Sequence, residues 1–206
     1  MGHRSYDQYC PVAAALDVIG DRWTLLIMRE LLTGDRRFTD LRTALPGIAP
    51  NLLAERLRDL QSEGLVAHKE LPPPAARTVY TATAEGRTVV PILQALARFG
   101  VSRLGSPDEA EPLPRVAVYG MLTPFHRPEP DGARFHARLD IDGQTFDLVT
   151  DGPRLSTRAQ RDDVPDVTVR TTARDVVAAR QRRRPLDVDV EPAAAFERFA
   201  RLFQLA

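Results

Sequence analysis

The chain has 206 residues, of which 43% are hydrophobic and 27% charged, and 28 basic residues balance 28 acidic ones. This ordinary globular usage excludes global disorder, collagen and a coiled-coil rod. Zero net charge excludes a uniformly basic nucleic-acid-coating protein and leaves any DNA contact to local placement of charge. Residues 1–105 hold 13 basic and 11 acidic residues, and residues 106–206 hold 15 and 17, so splitting the chain changes little. The single cysteine, Cys10, cannot form an intrachain disulfide and fits a reducing compartment. Residues 1–9 are polar and lack the apolar stretch of a signal peptide, and the run Leu25 to Met28 is too short to span a bilayer. A cytoplasmic protein is expected.

The first half reads as mostly helical. Val12 to Ile19 is an apolar segment opened by Cys10-Pro11 and closed by Gly20. Proline costs little in a first turn, where its missing N–H would be unpaired anyway. Trp23 to Leu32 is apolar on nearly every face and stops at Gly34, which predicts a helix buried all round. Thr39 to Leu45 is a short helix ended by Pro46-Gly47. Pro50 opens another that runs to Ser62, with Leu53, Leu57 and Leu60 on one stripe. After Gly64 two β-type runs, 65–71 and 77–81, flank Pro72-Pro73-Pro74, a tip that cannot be helical. A last helix is predicted from Ala84 to about Leu104, with Val89, Ile92, Leu93, Leu96 and Phe99 as its stripe; Pro91 inside it is a kink position.

Helix, helix, short turn, helix, hairpin is the order of a winged helix-turn-helix. In that arrangement 39–45 crosses the DNA backbone, 50–62 enters the major groove and the hairpin reaches a neighbouring phosphate or minor groove. Turning the three leucines inward leaves Asn51, Glu55, Arg58 and Ser62 outward. Asn pairs with adenine, Arg with guanine, and Glu accepts from cytosine or orients an arginine. Arg36 and Arg37 precede the first helix of the motif, Thr39 opens it and Arg77 flanks the hairpin tip; all four are candidate backbone contacts. On an arbitrary helix such residues are only a solvated face. It is the surrounding order of elements that assigns them to DNA.

These residues also carry a family resemblance. Cys10-Pro11-Val12, Ile19-Gly20-Asp21-Arg22-Trp23-Thr24-Leu25-Leu26-Ile27, Arg37-Phe38-Thr39-Asp40-Leu41 and Gly47-Ile48-Ala49-Pro50-Asn51-Leu52-Leu53 occur in the order seen in HxlR-type regulators. Arg56-Leu57-Arg58-Asp59-Leu60, Glu63-Gly64-Leu65-Val66 and the run from Tyr80 to Arg87 continue it. The resemblance covers residues 6–104. It implies a homodimeric bacterial transcription factor of MarR-like architecture, with dimer contacts from the first and last helices of this half. Ala49 departs from the pattern, which often has a hydroxyl residue there; the loss of that cap costs about 1 kcal/mol at the helix start. Several members sense oxidants through an N-terminal cysteine, and Cys10 stands at that place. A helix N-terminus favours the reactive thiolate. With no second cysteine, oxidation would join two protomers or capture a small thiol. The alternative is a small buried apolar residue at a dimer interface.

The composition of 105–112, rich in Gly, Pro and acids, reads as a linker between a domain 1–104 and a domain 113–206. In the second half, Val116 to Phe125 is apolar and helical. Ala133 to Asp140 alternates as a strand, Asp142-Gly143 is a hairpin signal, and 144–150 is the partner strand. Further strands are expected at 154–158, 164–170 and 186–190, with helices over 172–180 and after Pro192. The expected class is α+β, with one antiparallel sheet and helices on one face. The run Arg180-Gln181-Arg182-Arg183-Arg184 reads first as a solvated loop and secondarily as a contact to DNA or phospholipid.

This order resembles the sterol carrier protein type 2 fold. The carrying residues are 142–148, the 165–169 strand entering the 172–179 helix, and 186–190 ahead of 196–203. The resemblance implies a cavity holding a small apolar ligand, with Val118, Leu122, Phe125, Phe146, Val176, Phe199 and Phe203 as candidate lining. The same side chains are also what a domain of this size needs for a core. No cofactor motif appears. His3, His68, His126 and His136 lack metal-ligand spacing, and no catalytic set stands out, so neither a metal nor an enzyme is expected. The expectation is a dimeric regulator responding to a small apolar ligand or to thiol modification. Its rival is a lipid-binding module whose helix-turn-helix only dimerises.

Overall fold

The computed structural model describes every residue except 1–4, 72–76, 110, 130, 153, 159–162 and 206, and the backbone alone of Leu71, Arg77, Arg154 and Arg158. The chain forms two compact units, Met1–Pro91 and Ile92–Ala206.

The first unit begins with α1 (Pro11–Ile19), which turns Ala13 and Ile19 inward and leaves Val12 and Leu16 exposed. α2 (Thr24–Leu31) buries Ile27, Met28 and Leu31. The expectation of a helix buried all round is corrected here, because Leu26 is 40% exposed. α2 makes little more than two turns, and α3 and β2 pack against it without enclosing it. α3 (Phe38–Ala44) and α4 (Pro50–Ser62) follow, joined through Gly47 at φ +91°, a left-handed conformation that costs glycine no side-chain clash. Leu41, Leu53, Leu57 and Leu60 form the core beneath them.

Strands β1 (Val66–Leu71) and β2 (Arg77–Ala82) pair antiparallel from Val66 opposite Ala82 to Leu71 opposite Arg77. The triple-proline tip lies outside the described residues. Arg36 adds a short third rung, because Arg36 and Tyr80 exchange both backbone hydrogen bonds at 3.0 and 2.7 Å. The helix expected from Ala84 is corrected to a 3-10 turn, Gly86–Val89, followed by α5 (Val90–Val101). Gly86 lies so close to the wing base that a Cβ would stand 2.1 Å from the Leu65 carbonyl oxygen. Pro91 therefore falls in the first turn of α5, where its missing N–H is harmless, and opens the helix instead of kinking it. No residue of α5 is buried; Ile92, Leu96 and Phe99 are among the exposed large apolar side chains, and from Ile92 onward the helix belongs to the second unit, where Val101 packs against the core.

In the second unit a helical segment runs from α6 (Pro114–Val116) through a π turn (Ala117–Leu122) to a 3-10 turn (Thr123–Phe125). The strands are β3 (Phe135–Ile141), β4 (Gln144–Asp151), β5 (Arg154–Arg158), β6 (Val167–Thr171) and β7 (Asp189–Glu191), with α7 (Ala173–Arg180) and α8 (Phe196–Leu202) beside them. Asp142 and Gly143 both have positive φ, as the tight β3–β4 hairpin requires. The sheet order is β5-β4-β3-β6-β7.

The expectation of an antiparallel sheet is corrected, since β3 and β6 are parallel while the other pairs are antiparallel. Alternation along a strand records which face is buried and carries no information on direction. Here the chain leaves along the β4–β5 edge and comes back across to lay β6 beside β3, the crossover a parallel pair needs. β6 starts at Val167, and Val164 is 91% exposed. β7 is only three residues long, because its ladder with β6 spans Thr168 to Arg170; Leu186 and Val188 pack on the core without pairing.

Two groups of buried polar side chains distinguish this unit. Asp147, fully buried, accepts from Arg138 Nε at 3.0 Å and lies 2.9 Å from His136 Nε2. Arg180, also buried, donates to the carbonyls of Met121 (2.7 Å), Phe203 (2.5 Å) and Gln204 (2.9 Å) and stacks 3.9 Å from the Phe125 ring centroid. Burial, with the Arg182 charge nearby, pushes its guanidinium down to about 10. Between α5 and α6, Pro107–Glu109 forms a 3-10 turn with Pro107 buried, and Gln181 Nε2 donates to the Leu104 and Gly105 carbonyls at 3.2 and 3.0 Å.

Candidate nucleic-acid interface

α4 is positioned by the three leucines on its inner face, each at most 1% exposed. With those inward, Asn51, Arg58 and Ser62 stand exposed and Glu55 is half-buried. Asn51 sits in the first turn, the end that enters a groove most deeply in helix-turn-helix complexes. Arg58 has no ion-pair partner among the described residues, so its guanidinium is unencumbered. Ser62 Oγ is turned back to the Asp59 carbonyl at 2.7 Å. Ala49 at the N-cap makes no side-chain cap, which leaves the first amides of α4 without that partner.

The cations ahead of α3 are held by their own neighbours. Arg37 grips Asp40 with Nη2 at 2.7 Å and Nε at 3.0 and 3.1 Å, while its backbone N–H donates to the same carboxylate at 3.0 Å. The hydrogen bonds from Arg37 hold the Asp40 carboxyl below the usual range and push the Arg37 guanidinium up. Arg36 is half-buried; its Nη2 lies 3.2 Å from Thr33 Oγ1, and its Nε is buried without a hydrogen-bond partner. Thr39 is exposed on the first turn of α3. Arg77 occupies the start of β2 opposite Leu71, and its side chain lies outside the description.

The wing is tied to the helices by Lys69, whose Nζ donates to Asp35 at 3.1 Å. Burial opposes ionisation of Asp35, but hydrogen bonds from Thr81 and Lys69 outweigh it and hold the carboxyl below its usual range. Cys10 is half-buried at the N-cap of α1, with its N–H on the Gln8 carbonyl at 2.8 Å.

A cleft of about 1210 Å³ opens between the second half of α1 and one flank of α4. Asp17, Asp21, Glu55, Asp59 and Glu63 line it, against Arg56 and Arg58. Arg56 reaches across to Asp21 at 3.1 Å and also pairs with Asp59 at 2.7 Å and Glu55 at 3.2 Å. Sequence reasoning passed over Arg56. Its place on the flank of the leucine stripe marks it as semi-buried, but nothing in the periodicity points to Asp21 as a partner.

The apolar residues considered for a cavity are all buried in the second unit. Six of them, Val118, Leu122, Phe146, Val176, Phe199 and Phe203, belong to one contiguous core, and Phe125 lies under Arg180. No helix among the described residues is long and apolar enough to cross a membrane.

Comparison with known proteins places the first half. A family profile described as HxlR-like helix-turn-helix matches residues 18–107. An HTH-type transcriptional regulator of Synechocystis sp. is 37% identical over 44% of this chain and 67% of its own. The HTH-type transcriptional regulator YvaP of Bacillus subtilis is 34% identical over 45% of this chain and 86% of its own. Among solved structures, the reduced form of the transcriptional regulator YodB from B. subtilis is 30% identical over 45% of this chain and 92% of that one, with a TM-score of 0.41.

Proposed function

The chain belongs to the family of HxlR-like helix-turn-helix proteins, and on that premise we propose that it is a dimeric DNA-binding transcriptional regulator that reads a pseudo-palindromic operator. The observation that carries this reading is the division of α4, with three buried leucines on one face and Asn51 and Arg58 unencumbered on the other, beside a two-stranded wing. Asn51 and Arg58 are assigned to base edges, with Glu55 and Ser62 on the same face. Arg36, Arg37, Thr39 and Arg77 are assigned to the phosphate backbone. Arg37 would have to share its guanidinium between Asp40 and a phosphate.

A second copy of the chain is the partner that suits the exposed apolar residues Val12 and Leu16 of α1, Tyr9 just ahead of it, and Ile92, Leu96 and Phe99 of α5. Two-fold geometry would set the paired α4 helices about 34 Å apart. In this reading 1–104 binds DNA and dimerises, 105–112 connects, and 113–206 is a sterol-carrier-like effector domain. The signal is thiol modification at Cys10 or a small apolar ligand among the buried residues of the second unit.

The test is fluorescence anisotropy with DNA from upstream of the protein's own gene against a scrambled duplex, at two salt concentrations under reducing conditions. Tighter, salt-weakened binding to the native duplex is expected. Equal weak binding to both duplexes would instead favour a lipid-binding module, and native mass spectrometry for a co-purified apolar ligand would follow. Loss of binding on thiol oxidation, abolished in Cys10→Ser, would assign the signal to the cysteine.

A further inference from the structure

The turn between α1 and α2 meets the reading helix at one point and the turn ahead of it at another. Asp21 forms the ion pair with Arg56, in the middle of α4, and is the one acid of Arg56's three that comes from outside its own helix. Trp23 sits at the other point, with its indole Cη2 3.8 Å from where a Cβ would stand on Gly47, in the turn that launches α4. Trp23 has φ +80°, a left-handed conformation that a bulky residue adopts only when its surroundings impose it. The Arg22 guanidinium lies 5.4 Å from its ring centroid. The Asp21–Arg56 pair bridges the cleft between α1 and α4, with Asp21 54% exposed and Arg56 15% exposed. Without Asp21 the guanidinium keeps only Asp59 and Glu55, both on its own helix, so the tie to the α1–α2 turn is lost.

We propose that Asp21 and Trp23 are positioning residues for the reading helix: the 20–23 turn holds α4 at its middle and at its start, and passes any displacement of α1 to it as a tilt. The inference rests on the DNA-reading proposal, since a tilt matters only if α4 is presented to a groove. It deepens that proposal by naming how a change at α1, which carries Cys10 at its start, would reach the bases.

Trp23 is the only tryptophan in the chain, so its fluorescence reports this turn directly. The experiment uses the full chain with Asp21→Asn, Arg56→Gln and the conservative Asp21→Glu. The readouts are Trp23 emission, hydrogen exchange at the Leu53 to Leu57 amides in the free protein, and affinity for the upstream duplex. Expected results for Asp21→Asn and Arg56→Gln, with native circular dichroism, are a shifted emission maximum, faster exchange at those amides, and roughly two- to thirtyfold weaker specific binding. Asp21→Glu should restore all three. Unshifted emission and exchange in the folded variants would overturn the positioning role whatever happens with DNA. So would weakened binding without those changes, which would mean that Arg56 touches DNA itself. A wild-type protein that cannot tell the native from the scrambled duplex overturns the DNA-reading proposal instead, and the emission and exchange results then decide the positioning role alone.

Discussion

Beneath α4 the first unit has a core of plain leucines, and its ion pairs lie around that core: Arg37 with Asp40 on the surface, the largely buried Arg56 with Asp59 and Asp21, and the buried Glu30 with Arg29. The second unit takes more charge inside, with Asp147 shared by His136 and Arg138 in one place and Arg180 spread over three carbonyls in another. A buried charge is tolerated only when its hydrogen bonds are complete, so these groups are committed to holding strands and helix ends together. Arg58, exposed and unpaired among the described residues, carries no such commitment. The contrast shows where recognition chemistry is available. One unit leaves polar groups free to meet a partner, and the other uses them to close its own frame.

Four substitutions would break or sharpen this contrast. Arg180→Met should have the largest effect, about 4 kcal/mol of stability, because two buried carbonyls and one part-buried one lose a charged donor at once. Urea unfolding followed by exchange of the β3 amides would measure it; a loss under 1 kcal/mol would mean that the carbonyls find water. Leu57→Ala should cost about 3 kcal/mol by opening a cavity under α4, read from the Trp23 fluorescence transition. Arg58→Ala should leave stability unchanged and remove roughly 1–3 kcal/mol of specific DNA binding, with little change on the scrambled duplex. An equal loss on both duplexes would reassign Arg58 from base to phosphate.

The smallest effect concerns pH. Burial holds the His126 imidazole below the usual histidine range, and its Nε2 has no hydrogen-bond partner. The unfolded chain therefore binds a proton, at its ordinary value of about 6.5, before the folded one does. Stability from this group is fully present above that pH, falls as pH drops below it, and levels off beneath the depressed folded value. His126→Phe should flatten that part of the stability profile. A slope identical to wild type would place the proton uptake elsewhere.

Much of the first unit was legible from local signals. Pro11 and Pro50 open α1 and α4, and Gly20 and Gly64 mark their ends. The spacing of Leu53, Leu57 and Leu60 predicted the buried face of α4 and, by subtraction, the exposure of Asn51 and Arg58. The strands flanking Asp142-Gly143 were legible for the same reason: a turn signal and an alternation are both written within a few residues. Where length mattered more than pattern, the reading slipped. The continuous helix from Ala84 ignored how closely Gly86 approaches the Leu65 carbonyl, and the strand from Leu186 counted alternating residues that have no ladder partner.

By itself, then, the sequence determined the order of most elements, the inward face of α4 and the winged helix-turn-helix character of the first half, because helix period, caps and turn residues act over one or two turns of chain. Only the tertiary structure decided that β6 runs parallel to β3, that Arg37 grips Asp40, that Arg180 closes on Met121, Phe203 and Gln204, and that Arg56 reaches Asp21 across a cleft. Apart from the Arg37 pair, which turns on a choice of rotamer, these are meetings between groups distant in the chain, 23 to 59 residues apart for Arg180 with its three carbonyls. Such meetings depend on how the elements pack, and no periodicity within a single element encodes them.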